Sequence, residues 1–373
     1  MTLGRRQLMI GGLALTGLAG CAGLPRGTEP LKVALLGQAL IEHAPSADEW
    51  PGRPAIAARL AQADVVFTNL ETVIRGSRAG APTRELLTLH AAGPEILEAL
   101  KSVDVGLLTT ANNHAFDLGS GGILDTLAAL RAAGLPTSGS GADIAEASAP
   151  AFLETPAGRV AVVGFATGKV REGGMATETR PGVNELRRNA DGTLHTGDEA
   201  RIIGAIRQAA ATADLVIACH HNHDWEPDNA LVPAWQQAFA RRCVDAGGDV
   251  FAGHGSPLPQ GMGVYRGRPL LYGLGNFIFQ TEKVAGSYPP DAWTSVMAHV
   301  TRHADGRLET WLDAITMNET GLGGDDDLAT RGFPSLASSL ETATILDRID
   351  RLSRPLGGQV VATASGGRLQ TAA

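Results

Sequence analysis

From Leu31 onward, short β-rich apolar runs alternate with stretches of helical periodicity, and that alternation restricts the fold more than any other feature. Leu31–Leu36, Val65–Thr68, Val105–Thr109, Val160–Phe165, Leu215–Ala218 and Val250–Ala252 read as buried strands. Between them, Ala55–Gln62, Pro94–Ser102, Gly122–Ala133, Asp198–Thr212 and Pro233–Ala246 carry the 3.6-residue period of helices. Gly247-Gly248 follows the last of these, as a helix stop should. Strands alternating with helices predict an α/β fold with a largely parallel sheet and helices layered on it. The later runs, Gly263–Tyr265, Leu270–Tyr272, Ser295–Thr301 and Leu308–Ile315, lie closer together and predict antiparallel strands, with Asp305-Gly306 as a turn. Gly321–Asp327 reads as a loop and Ser335–Ser353 as an amphipathic helix, with Leu336, Leu340, Ile345, Ile349 and Leu352 on its apolar side.

The chain's 373 residues allow a large core. With 44% hydrophobic and 19% charged residues it belongs among globular proteins, and a net charge of −8 argues against nucleic-acid binding. Beyond the first two dozen residues no segment is long and apolar enough to cross a bilayer. The start of the chain reads as an address. Arg5-Arg6 precedes an apolar run from Ile10 to Leu18, and Leu18-Ala19-Gly20-Cys21 follows. This order predicts a twin-arginine export signal over 1–21 ending in a lipobox, with Cys21 acylated. An ordinary secretory signal with an incidental cysteine is the alternative. The protein is thus expected in the cell envelope, anchored to the membrane by lipid. A linker over 22–30, a main domain over 31–318 and a packed C-terminal loop and helix over 319–373 would follow. Cys219 and Cys243 are expected as buried thiols.

The polar residues gather at one end of the expected strands. Val65–Thr68 runs into Asn69-Leu70-Glu71, and Val105–Thr109 into Asn112-Asn113-His114 and Asp117. Leu215–Ala218 runs into Cys219-His220-His221-Asn222-His223-Asp224-Trp225-Glu226, and Val250–Ala252 into Gly253-His254. Taken singly, each has a plain structural reading as a helix cap, a turn or a solvated side chain. Four such clusters at the carboxyl ends of parallel strands point instead to a ligand site. Imidazole, carboxylate and carboxamide donors without thiolate suit one or two ions of Zn²⁺, Mn²⁺ or Fe²⁺. His114, oriented by Asp117 three residues on, would serve as a general acid.

These motifs resemble the capsule-biosynthesis CapA (poly-γ-glutamate synthesis) family, of the calcineurin-like metallophosphoesterase fold. The resemblance runs from about Leu31 to Ile315 and rests on several motifs. They are Asn69-Leu70-Glu71, Asn112-Asn113-His114 with Asp117 and Gly119, Asp245–Val250, and Tyr272-Gly273-Leu274-Gly275-Asn276-Phe277. It implies a four-layer α/β/β/α sandwich. It also implies Glu71, Asn113, His221, His223 and His254 as metal ligands and His114 as the acid. Gln38, His43, Asn69, Asn112, Glu226, Ser256 and Asn276 are expected around them. Gly37-Gln38 stands where the family places Gly-Asp, and Gly253–Pro257 keeps one histidine of a Gly-His-His-Pro-His pattern. His221 and His223 are richer than the usual His-Trp-Gly. Either the site is rebuilt around one metal, or metal and catalysis are lost.

Two functions follow. One is a metal-dependent hydrolase or transferase acting on an envelope polymer or its precursor, by phosphoester or amide chemistry. The other is a non-catalytic lipoprotein that guides an anionic polymer within a membrane synthase complex. A third reading makes Ser256 a nucleophile, but no Gly-x-Ser-x-Gly elbow surrounds it.

Overall fold

The computed structural model describes residues 29–225 and 227–372, so the expected signal with Cys21, most of the linker, and Glu226 lie outside the described residues. Leu31–Leu40, Val65–Leu70 and Val105–Thr109 run parallel and side by side in the larger of two main sheets. Thr294–Arg302 and Leu308–Met317 extend that sheet antiparallel from the free edge of the first strand. In the smaller sheet Leu215–Asn222 lies between Gly158–Thr167 and Val250–His254, all parallel.

The two-residue period of the strands sorts their side chains into layers. Leu31, Val33 and Leu35 meet Val160, Val162, Leu215, Ile217 and Cys219 between the sheets. Ala34 and Leu36 point the other way, against Ile56, Leu60, Ile96, Leu100 and Leu130 of three helices. On the far side of the smaller sheet, Ala161, Val163, Val216 and Ala218 pack on Ile202 and Ile206 of Thr196–Ala210 and on Phe239 and Cys243 of Ala234–Asp245. The result is the α/β/β/α sandwich of the metallophosphoesterase-like fold. Each fully buried aliphatic or aromatic side chain contributes roughly 1.5–3 kcal/mol, so the three apolar layers hold the sheets face to face.

All six expected strands form, and five run on past their expected ends, four of them into the polar clusters. Those four reach Leu40, Leu70, Asn222 and His254 because the backbone ladder continues through the polar residues, pairing Gln38 with Asn69 and His221 with His254. Gln38, Asn69, His221 and His254 therefore sit on rigid strand ends. The first strand also bonds Asn276–Phe279, and Gly37 makes that approach possible: a Cβ there would lie 2.6 Å from the Asn276 carbonyl carbon.

The C-terminal part departs from expectation. The helix spans Ser339–Ser353, because Ser338 and Glu341 form a reciprocal capping box and Pro334–Leu336 is a short strand beside Leu308–Met317. Leu340 is 79% exposed; the buried stripe is Ile345, Leu346 and Ile349, which join the core between the sheets. A hairpin of Gly358–Thr363 and Gly366–Thr371, not anticipated from the sequence, adds to the larger sheet. Cys219 and Cys243 are free and buried. No helix among the described residues is long and apolar enough to cross a membrane.

Candidate metal centre

The parity that builds the layers also decides which histidines reach the site. His221 shares the direction of Leu215, Ile217 and Cys219, towards the opposite sheet. His220 faces the helices, where it stacks on Phe165 (centroids 4.9 Å apart), donates from Nε2 to Thr167 Oγ1 and accepts from Gln236 Nε2. Burial lowers its pKa to about 3, so it is a neutral core residue.

Glu71, just beyond its strand on the larger sheet, is the meeting point. Its Oε1 lies 3.3 Å from His221 Nε2, 3.9 Å from His223 Nε2 and 4.0 Å from His114 Nε2. His221 Nε2–H also donates to Asn113 Oδ1 at 2.9 Å. Glu71, His221 and His223 each offer a ligand atom within one 4.8 Å cluster. Glu71 Oε2, His221 Nδ1 and both ring nitrogens of His223 are buried without a hydrogen-bond partner. Orphaned donors and acceptors on three converging side chains are costly for a chain alone, and they fit a divalent cation.

The charge states agree with that fit. Burial pushes the Glu71 carboxyl up, but the imidazoles of His221, His223 and His114 outweigh it and hold the group well below the usual carboxylate range. Burial lowers His223 to about 3 and His114 to about 4, the second despite the Asp117 carboxylate. The anionic Glu71 carboxylate and the neutral His223 imidazole are donors that suit Zn²⁺, Mn²⁺ or Fe²⁺.

His114 is held from behind. Its Nδ1–H donates to Asp117 Oδ2 at 2.8 Å, and Arg84 bonds both Asp117 Oδ1 and the Asn113 carbonyl. Asn112 Oδ1 accepts from the His114 backbone N–H, while Asn112 Nδ2 donates to Asn69 Oδ1 and the Leu70 carbonyl. These two asparagines brace the loop and do not face the ligand cluster.

Several expected residues are engaged elsewhere. His254 donates from Nε2 to the Leu36 carbonyl at 2.9 Å and lies against Cys219 Sγ at Nδ1, so both of its nitrogens are occupied by protein. The Gln38 amide is used at both ends: Nε2 donates to Asn276 Oδ1 at 3.0 Å, and Oε1 accepts from Gly255 N–H at 2.7 Å. Gly255 needs its φ of +103° to present that N–H. Asn276 in turn donates to the Pro257 and Ala292 carbonyls. Ser256 Oγ donates to the Asn229 carbonyl. His43 is exposed, because Gln280 Oε1 accepts from the backbone N–H of both Glu42 and His43 and fixes a turn that sends Glu42 inward.

The cleft in front of the cluster has a volume of about 290 Å³. Glu71, Asn113, His114 and His223 form its floor side, and Arg84, His90, Lys169, Trp225 and Lys283 are among its walls. Arg84, His90 and the two lysines carry no local sequence signal. Arg84 and His90 find their carboxylates 33 and 48 positions away, so only the folded chain brings them in.

The comparisons with known proteins agree with this architecture. Residues 34–281 match the model of the bacterial capsule synthesis protein PGA_cap. The chain is 29% identical to an uncharacterized protein of Sinorhizobium fredii, over 87% of this chain and 90% of the relative. It is 29% identical to a probable polyglutamine synthesis accessory protein of Mycobacterium tuberculosis, over 84% of this chain and 78% of the relative. The capsule biosynthesis protein CapA of Bacillus anthracis is 33% identical over 51% of this chain and 44% of its own length. With the sandwich and its strand-end site in place, the match over residues 34–281 makes this chain a member of the bacterial capsule synthesis (PGA_cap) family.

Proposed function

We propose that this CapA-like protein is a metal-dependent hydrolase-type enzyme acting on an anionic envelope polymer of the capsule or polyglutamate class, or on its precursor. The observation that carries the reading is the convergence of three imidazole nitrogens within 4.0 Å of Glu71 Oε1, with orphaned buried atoms around it. Glu71, His221 and His223 would hold the ion, with Asn113 Oδ1 beside them. A divalent ion there supplies Lewis acidity to a phosphoryl or carbonyl oxygen and eases deprotonation of a water. The protein's own residues do the rest. Asp117 fixes the His114 tautomer, and Arg84 fixes Asp117. His114 Nε2 faces the cleft and delivers a proton to the leaving atom once an anionic substrate offsets the burial that otherwise keeps the ring neutral.

Lys169 and Lys283 support an anionic substrate. Both line the cleft, and neither pairs with a carboxylate among the described residues. Each lies near an aromatic ring instead: Lys169 Nζ is 5.5 Å from the centroid of Trp225 and Lys283 Nζ is 5.0 Å from that of Tyr288. The net −8 of the chain is therefore no obstacle at the cleft itself.

A second reading, a non-catalytic lipoprotein that guides the polymer for a synthase complex, is favoured by the Gln38 amide, which is tied to Asn276 and Gly255. Elemental analysis of protein purified without added metal, then turnover of a generic phosphodiester and of poly-γ-glutamate, separates the two. No bound metal and no turnover after Mn²⁺ or Zn²⁺ addition leaves the guiding role. In both readings the protein is exported and lipid-anchored at Cys21. Loss of fatty-acid labelling in Cys21→Ala tests that anchor, and labelling that persists rejects it.

A further inference from the structure

Beside the Asp117–His114 pair stands a second pair built the same way. His90 Nδ1–H donates to Glu42 Oε1 at 2.5 Å, and the side chains are only 10% and 8% exposed. The His90 backbone N–H donates to Asp117 Oδ2 at 3.2 Å, and its ring lies against that of His114, with centroids 4.4 Å apart and planes at 58°. Glu42 is fixed in turn, since its backbone N–H donates to Gln280 Oε1 at 2.7 Å.

A histidine kept for packing uses both ring nitrogens, as His220 and His254 do. His90 differs. It lines the cleft, its Nδ1 is taken by Glu42, and its Nε2 has no protein partner among the described residues. A carboxylate on Nδ1 fixes the tautomer that turns the Nε2 lone pair outward, and it stabilises the imidazolium when that forms. The charged and titratable groups around it are Glu42 and Asp117 behind, and Glu71, Arg84, His114, Lys169, His223, Lys283 and Tyr288 on the cleft wall.

We infer that His90, oriented by Glu42, is a second proton carrier of the cleft, acting on the incoming nucleophile while His114 serves the leaving group. The O–H or N–H bond of an incoming water, hydroxyl or amine breaks as that atom bonds to phosphorus or carbonyl carbon, and the proton passes to His90 Nε2. The bond to the leaving group breaks with its electron pair, and the leaving atom takes a proton from His114. The two rings pack at 58° to each other with each Nδ1 tied to its own carboxylate, and each serves a different substrate atom. The inference rests on the hydrolase-type reading for its electrophile; the geometry of the pair stands apart from it.

The test uses the full chain supplied with Mn²⁺, with His90→Ala and Glu42→Gln assayed on a p-nitrophenyl phosphodiester and on poly-γ-glutamate. In His90→Ala, kcat should fall on the order of 10²-fold, with KM within about threefold of the parent. Metal content should equal the parent's, and added imidazole should restore about tenfold of the lost rate. Glu42→Gln should lower kcat in the same direction by less. An unchanged kcat, or a loss that imidazole does not rescue, overturns the role.

If the parent turns over neither substrate, the hydrolase-type reading has failed and modification by diethyl pyrocarbonate decides the question. Carbethoxylation of His90 that slows in Glu42→Gln upholds a free, oriented nitrogen. His90 remaining unmodified while the exposed His43 reacts overturns it.

Discussion

Glu71 Oε1 lies 3.3 Å from His221 Nε2, and the pair joins the loop just past a strand of one sheet to a strand of the other. A ligand held by both is held by the seam itself. Replacing His221 or His223 by alanine should weaken Mn²⁺ or Zn²⁺ binding by on the order of 10²-fold or more, at least the loss seen for outer supporting residues. Equilibrium dialysis with elemental analysis measures this. Metal content that survives His223→Ala would remove that residue from the ligand set.

Acid should destabilise the metal-free protein early. Burial lowers His114 and His254 to about 4 and His220 and His223 to about 3, against about 6.5 in an unfolded chain. Between those values the unfolded chain binds more protons, so stability rises with pH. The contribution is fully present above about pH 6.5 and is lost as pH falls towards 4 and then 3. Calorimetry across that range should show Tm dropping steadily below pH 6.5. A flat Tm down to pH 4 would mean that these imidazoles are solvated.

Gln38→Asp should trade stability for affinity. It removes the amide donor to Asn276 Oδ1 and the acceptor for Gly255 N–H, at a cost of about 1–3 kcal/mol in chemical denaturation without metal. It also adds a carboxylate on the cleft wall, so Mn²⁺ should bind more tightly than in the parent. Weaker Mn²⁺ binding would show that position 38 has no access to the ion.

Lys169→Ala and Lys283→Ala should each weaken an anionic substrate by roughly two- to fivefold, the range of exposed charge pairs. The effect should shrink as salt rises from 50 mM to about 500 mM, because the interaction is screened. Binding of poly-γ-glutamate followed against salt checks both statements, and an effect indifferent to salt would point to packing on Trp225 and Tyr288 instead.

Ser256→Ala should leave turnover within about twofold of the parent while lowering stability by about 1 kcal/mol, the worth of its bond to the Asn229 carbonyl. Turnover reduced to background would revive the nucleophile reading.

Periodicity alone places the six parallel-sheet strands, and strand ends that carry Glu71, Asn113, His114, His221 and His223 bring those residues to one edge. What the sequence leaves open is the use of each donor. His254 sits at the right strand end, but one nitrogen goes to Cys219 on the next strand and the other to the Leu36 carbonyl, which the opposite sheet supplies. Glu42 and His43 are neighbours, and which one turns inward is decided by Gln280, which follows the strand Asn276–Phe279 far along the chain. Arg84 and His90 lie in a segment with little regular structure, around the single turn Leu86–Thr88, where no period marks a buried face. The tail misleads for a local reason: Leu336 and Leu340 fit a helical stripe, yet the capping box at Ser338 starts the helix late and turns Leu340 to solvent.

The Gln38 amide, bonded on one side to Asn276 and on the other to Gly255, has a further meaning for the shape of the site. A carboxylate at that spot could still accept from the Gly255 N–H, but it would face the Asn276 Oδ1 acceptor with no proton to share. A neutral strut keeps the empty cradle in shape. If Glu71, His221 and His223 hold an ion as proposed, the rim formed by Gln38, Asn276 and Gly255 would keep its shape whether or not that ion is bound.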